Sequence, residues 1–199
     1  MEYAFGALAQ GVFANPENLS LLAKTGEELG FEVMWFNDHI VMPRAIESRY
    51  PYTDTGRFNE FGDIGDYLEQ LTVLSYVASL TSRVKLLTSV MVVPYRDPVL
   101  TAKILATADV LSEGRVIVGC GAGWMREEFE ALSRPSYEER SSITEEYIRV
   151  FKNLWTEGDP SYSGEYVTYS NIAFEPKPIQ RPHPPIWVGG ESSPAMHRT

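Results

Sequence analysis

Short apolar runs alternate with helical patterns along the first part of the chain. The runs at 3–9, 32–37, 84–93 and 116–119 lack a regular polar alternation, which is typical of strands that are buried on both faces. Between them, apolar residues recur every three or four positions, and this spacing predicts amphipathic helices. Strands that alternate with helices in this way predict an α/β fold with parallel strands and helical crossovers.

Local signals place the starts of the helices. Asn15-Pro16 and Asp97-Pro98 each put a capping side chain directly before a proline, which the first turn of a helix accepts. A further helix is predicted over 67–80, with Asp66 as its cap. These helices would connect the predicted strands.

The pattern changes in the second half. A helix is predicted up to about Trp155, and aromatic residues around Ser163-Gly164 predict a β-hairpin within 161–174. Prolines favour an extended connector over 176–185, and 185–190 is predicted to be a fifth strand that ends in glycines. No second-domain boundary is visible, so we expect a single domain over 1–199.

One long segment has no sustained periodicity of apolar residues. Residues 38–65 contain several prolines and glycines and lie between the second strand and the next helix. A loop of this length inside a compact domain is usually a lid, a binding loop or disordered. We expect it to act as a substrate lid.

A pair of polar residues follows the second strand, where ligands of parallel α/β proteins bind. His39 can donate or take a proton near neutral pH, and Asp38 can hydrogen-bond a ligand or the backbone. These two residues are therefore the candidate catalytic pair. The alternative is structural: Asp38 would cap the loop, and His39 would be an ordinary satisfied polar side chain.

The turn after the fifth strand is a candidate phosphate site. It contains Gly189, Gly190, Ser192 and Ser193, and bare backbone N–H groups with serine hydroxyls at a helix N-terminus suit a phosphate dianion. The carboxylate of Glu191 would have to point away. An ordinary glycine turn with a serine cap is the alternative, because this short string is a weak motif.

The glycines after the fourth strand do not form a nicotinamide-binding motif. Their spacing over 119–123 is G-x-G-x-G, and no acidic residue ends a strand about 20 residues later. They more simply allow a flat ring to approach the backbone at Cys120 and Gly121. Cys120 is interpreted as a small buried side chain rather than a reactive thiol, and Glu127 and Glu128 as solvated helix residues.

Composition and charge narrow the functional classes. The 199 residues include 17 Lys and Arg against 27 Asp and Glu, a formal net charge of −10, so nucleic acid and anionic membranes are poor partners. A single cysteine allows no intrachain disulfide, and we expect neither a signal peptide nor a membrane span. His39, His183 and His197 are far apart in the sequence, so no metal site is expected. These features favour a cytoplasmic enzyme.

Four segments in one order carry a family likeness. They are 29–39, which ends in Asp38-His39; 87–103; 119–124 with Glu128-Phe129; and 176–190. With these segments the chain resembles the bacterial luciferase-like monooxygenase superfamily, especially its flavin- or F420-dependent oxidoreductases. The resemblance covers nearly the whole chain.

The resemblance implies a TIM-type (β/α)8 barrel that binds F420 or FMN, with the ring of this two-electron carrier across the strand ends. It implies that His39 lies near the reactive carbon of the ring, with Asp38 beside it. It also implies a cis peptide bond between Ser89 and Val90 that shapes the ring site. The expected carrier-binding residues are Ser89, Val90, Cys120, Gly121, Gly189, Gly190, Ser192 and Ser193.

The chain departs from the family pattern in two places. Residues 122–124 lack the acidic side chain that some F420-dependent sugar-phosphate dehydrogenases have there, which argues against that substrate class. Five strands are predicted where the family has eight, so we expect a barrel that is incomplete after the fifth strand. The chain would be a fragment, or another chain would cover it, or its site would be degenerate. The resemblance also implies a homodimer through the helices at 67–80 and 98–111.

The leading hypothesis is an oxidoreductase or monooxygenase that uses F420 or FMN on a small organic substrate. F420 is slightly preferred because of Asp38-His39. A second hypothesis is a truncated, non-catalytic flavin-binding or interaction protein of the same family. A third is an unrelated phosphate-handling barrel, but Lys24, Lys85 and Lys103 do not stand at carboxyl ends of strands, where a Schiff-base lysine would be needed.

Overall fold

Helices and a parallel sheet account for most of the secondary structure in the described residues. The computed structural model describes residues 3–7, 9–58, 65–133 and 136–190. The strands are β1 (Ala4–Ala7), β2 (Val33–Phe36), β3 (Lys85–Thr88), β4 (Met91–Val92), β5 (Val116–Gly121), β6 (Tyr162–Ser163), β7 (Thr168–Tyr169) and β8 (Ile186–Val188). The α-helices are α1 (Pro16–Glu28), α2 (Gln70–Ala78), α3 (Pro98–Leu111), α4 (Arg126–Ala131) and α5 (Arg140–Thr156).

The sheet is parallel and follows the order of the chain. β1 pairs with β2, β2 with β3, and β3 with β5. Cys120 of β5 is opposite Met91 on one side and Val188 on the other, so β4 continues the line of β3 and β8 occupies the far edge. The predicted α/β fold with parallel strands is therefore confirmed. Within the described residues β1 and β8 are the outer strands, so the closed barrel and its expected incompleteness stay predictions.

The strands bury apolar side chains on both faces, as the unbroken apolar runs predict. On the face covered by the helices, Met34, Phe36 and Leu86 belong to the main core. On the opposite face, Leu87 and its neighbours in β2 and β5 form a smaller cluster. Each fully buried side chain of this size contributes about 1.5–3 kcal/mol relative to an exposed one. The sheet is therefore held mainly by the hydrophobic effect.

The helix caps confirm two predictions and correct a third. Asn15 and Asp97 accept the expected backbone N–H groups and cap α1 and α3. The prediction that Asp66 caps the next helix is wrong, because α2 begins at Gln70 and its cap is Glu69, whose carboxylate accepts the N–H of Thr72. Residue 67 instead forms a β-bridge with Gln10. The predicted hairpin is confirmed as the antiparallel pair β6–β7.

No helix in the described parts of the chain combines the length and the apolar composition that crossing a bilayer requires.

The carboxylate of Glu27 ties the end of α1 to the turn before β3. It accepts backbone N–H groups from Ser82, Arg83 and Val84, the shortest from Arg83 at 2.6 Å. Burial alone would raise the pKa of Glu27, but these donated hydrogen bonds lower it below its ordinary value. A carboxyl group whose pKa is lower in the folded than in the unfolded chain stabilises the fold above its unfolded pKa of about 4.3.

Glu27→Gln should therefore lower the free energy of unfolding at pH 7 by about 1 kcal/mol, since charge-assisted hydrogen bonds are replaced by neutral ones. The difference from the wild type should shrink as the pH falls through the folded-state pKa of Glu27. Urea unfolding at pH 7 and at acidic pH measures both effects. Glu28→Gln is the matched control, because Glu28 is exposed. Equal losses in the two variants would contradict this assignment.

Candidate functional site

The peptide bond between Ser89 and Val90 is cis, as expected from the resemblance. It lies at the carboxyl end of β3 and divides the predicted third strand into β3 and β4. The N–H of Ser89 donates to the carbonyl of Phe36 at 2.7 Å, which ties this point to the end of β2. The side chain of Ser89 is exposed. The cis bond thus stands at the edge of the sheet where a site was predicted.

The side chain of Val90 lies between two of the predicted glycines. A Cβ built on Gly121 would lie 2.5 Å from Val90 Cγ2, and one built on Gly189 would lie 2.7 Å from Val90 Cγ1. The N–H of Gly189 also donates to the carbonyl of Cys120 at 2.9 Å. The structure therefore brings four of the predicted residues together. The space beside these glycines is filled by Val90, whereas we expected it to admit a flat ring directly.

Cys120 is a core residue, which confirms its interpretation as a small buried side chain. It is fully buried, and burial raises the pKa of its thiol to about 12. The thiol therefore stays protonated and weakly reactive at neutral pH. Cys120 contacts the edge of the sheet through its backbone, because its carbonyl oxygen accepts the N–H of Gly189.

Asp38 is buried and makes an ion pair with Arg96. Its two carboxylate oxygens accept from the guanidinium group at 2.7 and 2.8 Å, and one of them also accepts the N–H of Val92 at 2.8 Å. Arg96 also contacts Glu69 at 2.7 Å. Burial alone would lower the pKa of Arg96, but the hydrogen bonds and charges of Asp38 and Glu69 raise it. Asp38 therefore joins the end of β2 to β4.

His39 forms a hydrogen bond with a buried carboxylate. Its Nδ1 lies 2.7 Å from Oε2 of Glu128, and the Glu128 side chain is 0% exposed. The interpretation of Glu128 as a solvated helix residue is wrong, because the first turn of α4 faces the loop after β2 instead of solvent. No hydrogen bond from Nε2 of His39 to another described residue is found, and the side chain keeps 11% of its surface exposed.

The same carboxylate holds the start of the loop. Oε1 of Glu128 accepts the N–H groups of Ile40 at 2.7 Å and Val41 at 3.2 Å, and Oε2 accepts the hydroxyl of Tyr95 at 3.0 Å. Burial and the negative charge of Glu128 raise the pKa of Tyr95, which keeps its hydroxyl protonated and able to donate. Besides His39, three hydrogen-bond donors thus hold this carboxylate.

The neighbouring Glu127 anchors a second point of the loop. Its Oε1 accepts the N–H groups of Glu47 at 2.7 Å and Ser48 at 2.9 Å. Burial alone would raise the pKa of Glu127, but these and nearby hydrogen bonds lower it. The interpretation of Glu127 as a solvated residue is therefore also wrong. The described part of the predicted lid, residues 38–58, has neither helix nor strand and is fixed to α4 at two points.

Aromatic rings surround His39. The ring centroids of Phe58, Tyr67 and Trp124 lie 5.3, 5.5 and 6.5 Å from that of the imidazole, and Tyr50 contacts Trp124 at 5.0 Å. We call these four residues, Tyr50, Phe58, Tyr67 and Trp124, the aromatic enclosure. Burial and the charges of Asp38 and Glu128 raise the pKa of Tyr67. The enclosure limits the access of water to the imidazole.

Two buried acceptors belong to residues at the carboxyl end of β2 and the start of α2. Oδ1 of Asn37 and Oε1 of Gln70 make no hydrogen bond to the described residues. The nitrogens of both amides are used: Asn37 donates to the hydroxyl of Tyr67, and Gln70 donates to the carbonyl of Phe36 at 2.8 Å. The two free oxygens can accept from a bound molecule or from water.

The remaining predicted residues are only partly described. Gly190 is exposed and has a φ of 118°, a left-handed conformation that favours glycine. Ser192 and Ser193 lie outside the described residues, so the phosphate site stays a prediction. Within the described ranges, no group of three or more His, Cys, Asp and Glu side chains could hold a metal ion.

Sequence comparisons relate the chain to known proteins. A family model described as luciferase-like monooxygenase matches residues 4–199. An FMNH2-dependent dimethylsulfone monooxygenase of Pseudomonas putida is 36% identical over 129 residues, which cover 64% of this chain and 35% of that protein. An uncharacterised protein of Mycobacterium tuberculosis is 32% identical over 167 residues, which cover 84% of this chain and 58% of that protein.

Solved structures share the fold. Monooxygenase RslO1 from Streptomyces bottropensis has a TM-score of 0.76 at 27% identity, over 94% of this chain and 53% of that one. The F420-dependent tetrahydromethanopterin reductase from Methanopyrus kandleri has a TM-score of 0.74 at 22% identity, over 99% of this chain and 52% of that one, a likeness of the fold alone. The chain therefore spans about half the length of these structures.

Proposed function

Because this chain belongs to the luciferase-like monooxygenase family, we propose that it is an oxidoreductase that uses bound FMN or F420 to act on a small organic substrate. The observation that supports this most is the position of His39. It stands at the carboxyl edge of the parallel sheet, is held by a buried carboxylate and is surrounded by aromatic rings. The chain spans about half the length of the solved relatives. The proposal therefore concerns only the part of the site that these residues form.

The residues at the edge of the sheet fit the ring of such a carrier. Val90 offers a half-buried apolar surface, and Ser89 an exposed hydroxyl beside it. Asn37 and Gln70 each have a buried oxygen free to accept a hydrogen bond, as the imide N–H of either ring would require. When bound, the carrier would supply or accept the hydride, or activate oxygen in its reduced flavin form.

The chain's own residues would then handle protons and water. His39 would donate or take a proton through Nε2, the ring nitrogen that no described residue occupies. Asp38 would act indirectly, because its carboxylate is used by Arg96 and Val92 and fixes the strand ends. The aromatic enclosure would exclude water and bind the apolar part of the substrate, and residues 38–65 would act as the lid. Gly189, Gly190, Ser192 and Ser193 would hold the phosphate.

Different observations support FMN and F420 as the carrier. The dimethylsulfone monooxygenase of Pseudomonas putida is described as FMNH2-dependent, which favours reduced FMN. The Asp38-His39 pair favours F420 through the family resemblance. Titration with each carrier decides between them.

Saturable quenching of FMN or F420 fluorescence is the expected result of that titration. Gly121→Ala should weaken binding at least tenfold, because the added methyl group would lie 2.5 Å from Val90 Cγ2 and move it. Gly158→Ala is the control, since a Cβ there has no atom within 4 Å. Circular dichroism verifies that both variants fold. If the wild type quenches neither carrier, the proposed function is wrong, and binding without substrate turnover would support a non-catalytic carrier-binding protein instead.

Replacing His39 should separate chemistry from binding. His39→Gln is expected to lower kcat by about 100-fold or more while the affinity for the carrier stays within about threefold, as for the loss of a general acid or base. His183→Gln is the matched control, because His183 packs beside Trp155 and precedes β8, at the opposite end of that strand from Gly189. Steady-state kinetics with the carrier that binds give the comparison. An unchanged kcat in His39→Gln would show that His39 is not the proton donor or base.

We also propose that two copies associate through α2 and α3. Leu100 and Leu111 of α3 are 58% and 70% exposed, and Tyr76 of α2 is 38% exposed. Light scattering at micromolar concentration should give the mass of a dimer, and the double variant Leu100→Glu, Leu111→Glu should give that of a monomer. The control is Leu21→Glu, because Leu21 is equally exposed but lies on α1. A wild-type monomer would contradict the dimer.

A further inference from the structure

The carboxylate of Glu128 faces three hydrogen-bond donors and one ring nitrogen of His39. Oε1 accepts the N–H groups of Ile40 and Val41, while Oε2 faces Tyr95 and Nδ1 of His39. An ionised carboxylate can only accept. The contact with His39, at 2.7 Å, therefore requires a proton on Nδ1.

We propose that Glu128 is a positioning residue that fixes the tautomer of His39, with the proton on Nδ1 and the lone pair on Nε2. The neutral imidazole then presents a base to the site, and after it takes a proton the carboxylate faces the positive charge. The consequence for catalysis rests on the proposed function. The tautomer itself does not depend on a bound carrier or on the proposed function.

The contacts of Oε1 make one substitution decisive. In Glu128→Gln, the oxygen of the amide must stay where the N–H groups of Ile40 and Val41 donate. The amide nitrogen then takes the place of Oε2, donates one hydrogen to Nδ1 of His39 and the other to the hydroxyl oxygen of Tyr95, which now accepts. The imidazole must accept there, so its proton moves to Nε2. The variant should therefore exchange the protonated and unprotonated nitrogens of one ring without changing the size of the side chain.

Two variants separate this effect from a general loosening of α4. Glu127→Gln changes the neighbouring carboxylate, which contacts Glu47 and Ser48 but not the imidazole. Tyr95→Phe removes one donor to Oε2 of Glu128 and leaves the contact with His39 in place. Both should keep the wild-type tautomer.

The test is a long-range 1H–15N correlation spectrum of the histidine side chains, recorded without carrier at a pH above the titration of the ring. The chain has three histidines, and the signals lost in His39→Gln identify the relevant set. We expect protonated Nδ1 in the wild type, Glu127→Gln and Tyr95→Phe, and protonated Nε2 in Glu128→Gln.

Protonated Nε2 in the wild type, or the same tautomer in Glu128→Gln, would overturn the proposal. If Glu128→Gln does not fold, the wild-type spectrum still decides, because the proposal requires the proton on Nδ1. Failure to bind either carrier would contradict the proposed function but would leave this result unchanged. In an active preparation, Glu128→Gln should lower kcat at least tenfold with little change in KM, which a merely structural loss would not produce.

Discussion

The arrangement of the site depends on one buried carboxylate. A charged carboxylate that loses water costs several kcal/mol unless donors replace the lost hydrogen bonds. Glu128, on α4, is fully buried, and its partners come from the loop after β2, which includes His39, and from the segment after β4. These elements can adopt their positions only together, because removing any one of them would leave a donor or the charge unsatisfied. The position of the imidazole is therefore determined by the packing of three separate segments.

A second ionic network fixes the neighbouring strand ends. Asp38 follows β2, Arg96 follows β4, and Glu69 caps α2, so this network joins the elements that surround the cis bond at Ser89. The amphipathic helices and apolar strands hold the body of the sheet, whereas ions and hydrogen bonds hold its carboxyl edge. Such a division suits a site whose groups must keep fixed geometry while bound molecules change.

Local signals predicted much of the fold and little of the site. The alternation of parallel strands and helices follows from apolar runs between helical patterns, and the caps at Asn15 and Asp97 depend on a few adjacent residues. Only the family resemblance predicts the cis bond at Ser89, because nothing in the neighbouring residues indicates it. Glu128 was misinterpreted because its partner lies 89 positions away. A glutamate on a short helix looks the same in sequence whether it faces water or a folded loop.

The two attachments of the loop to α4 have a mechanical consequence. Residues 40–41 and 47–48 are each held by a carboxylate, so the first third of the segment cannot swing without breaking charge-assisted hydrogen bonds. The pivot of any opening movement must then lie beyond Ser48. A pivot between Ser48 and Tyr50 would move Tyr50 and Phe58 and would leave Trp124 in place. Opening at such a pivot would separate Tyr50 and Phe58 from Trp124 while the imidazole stays in place.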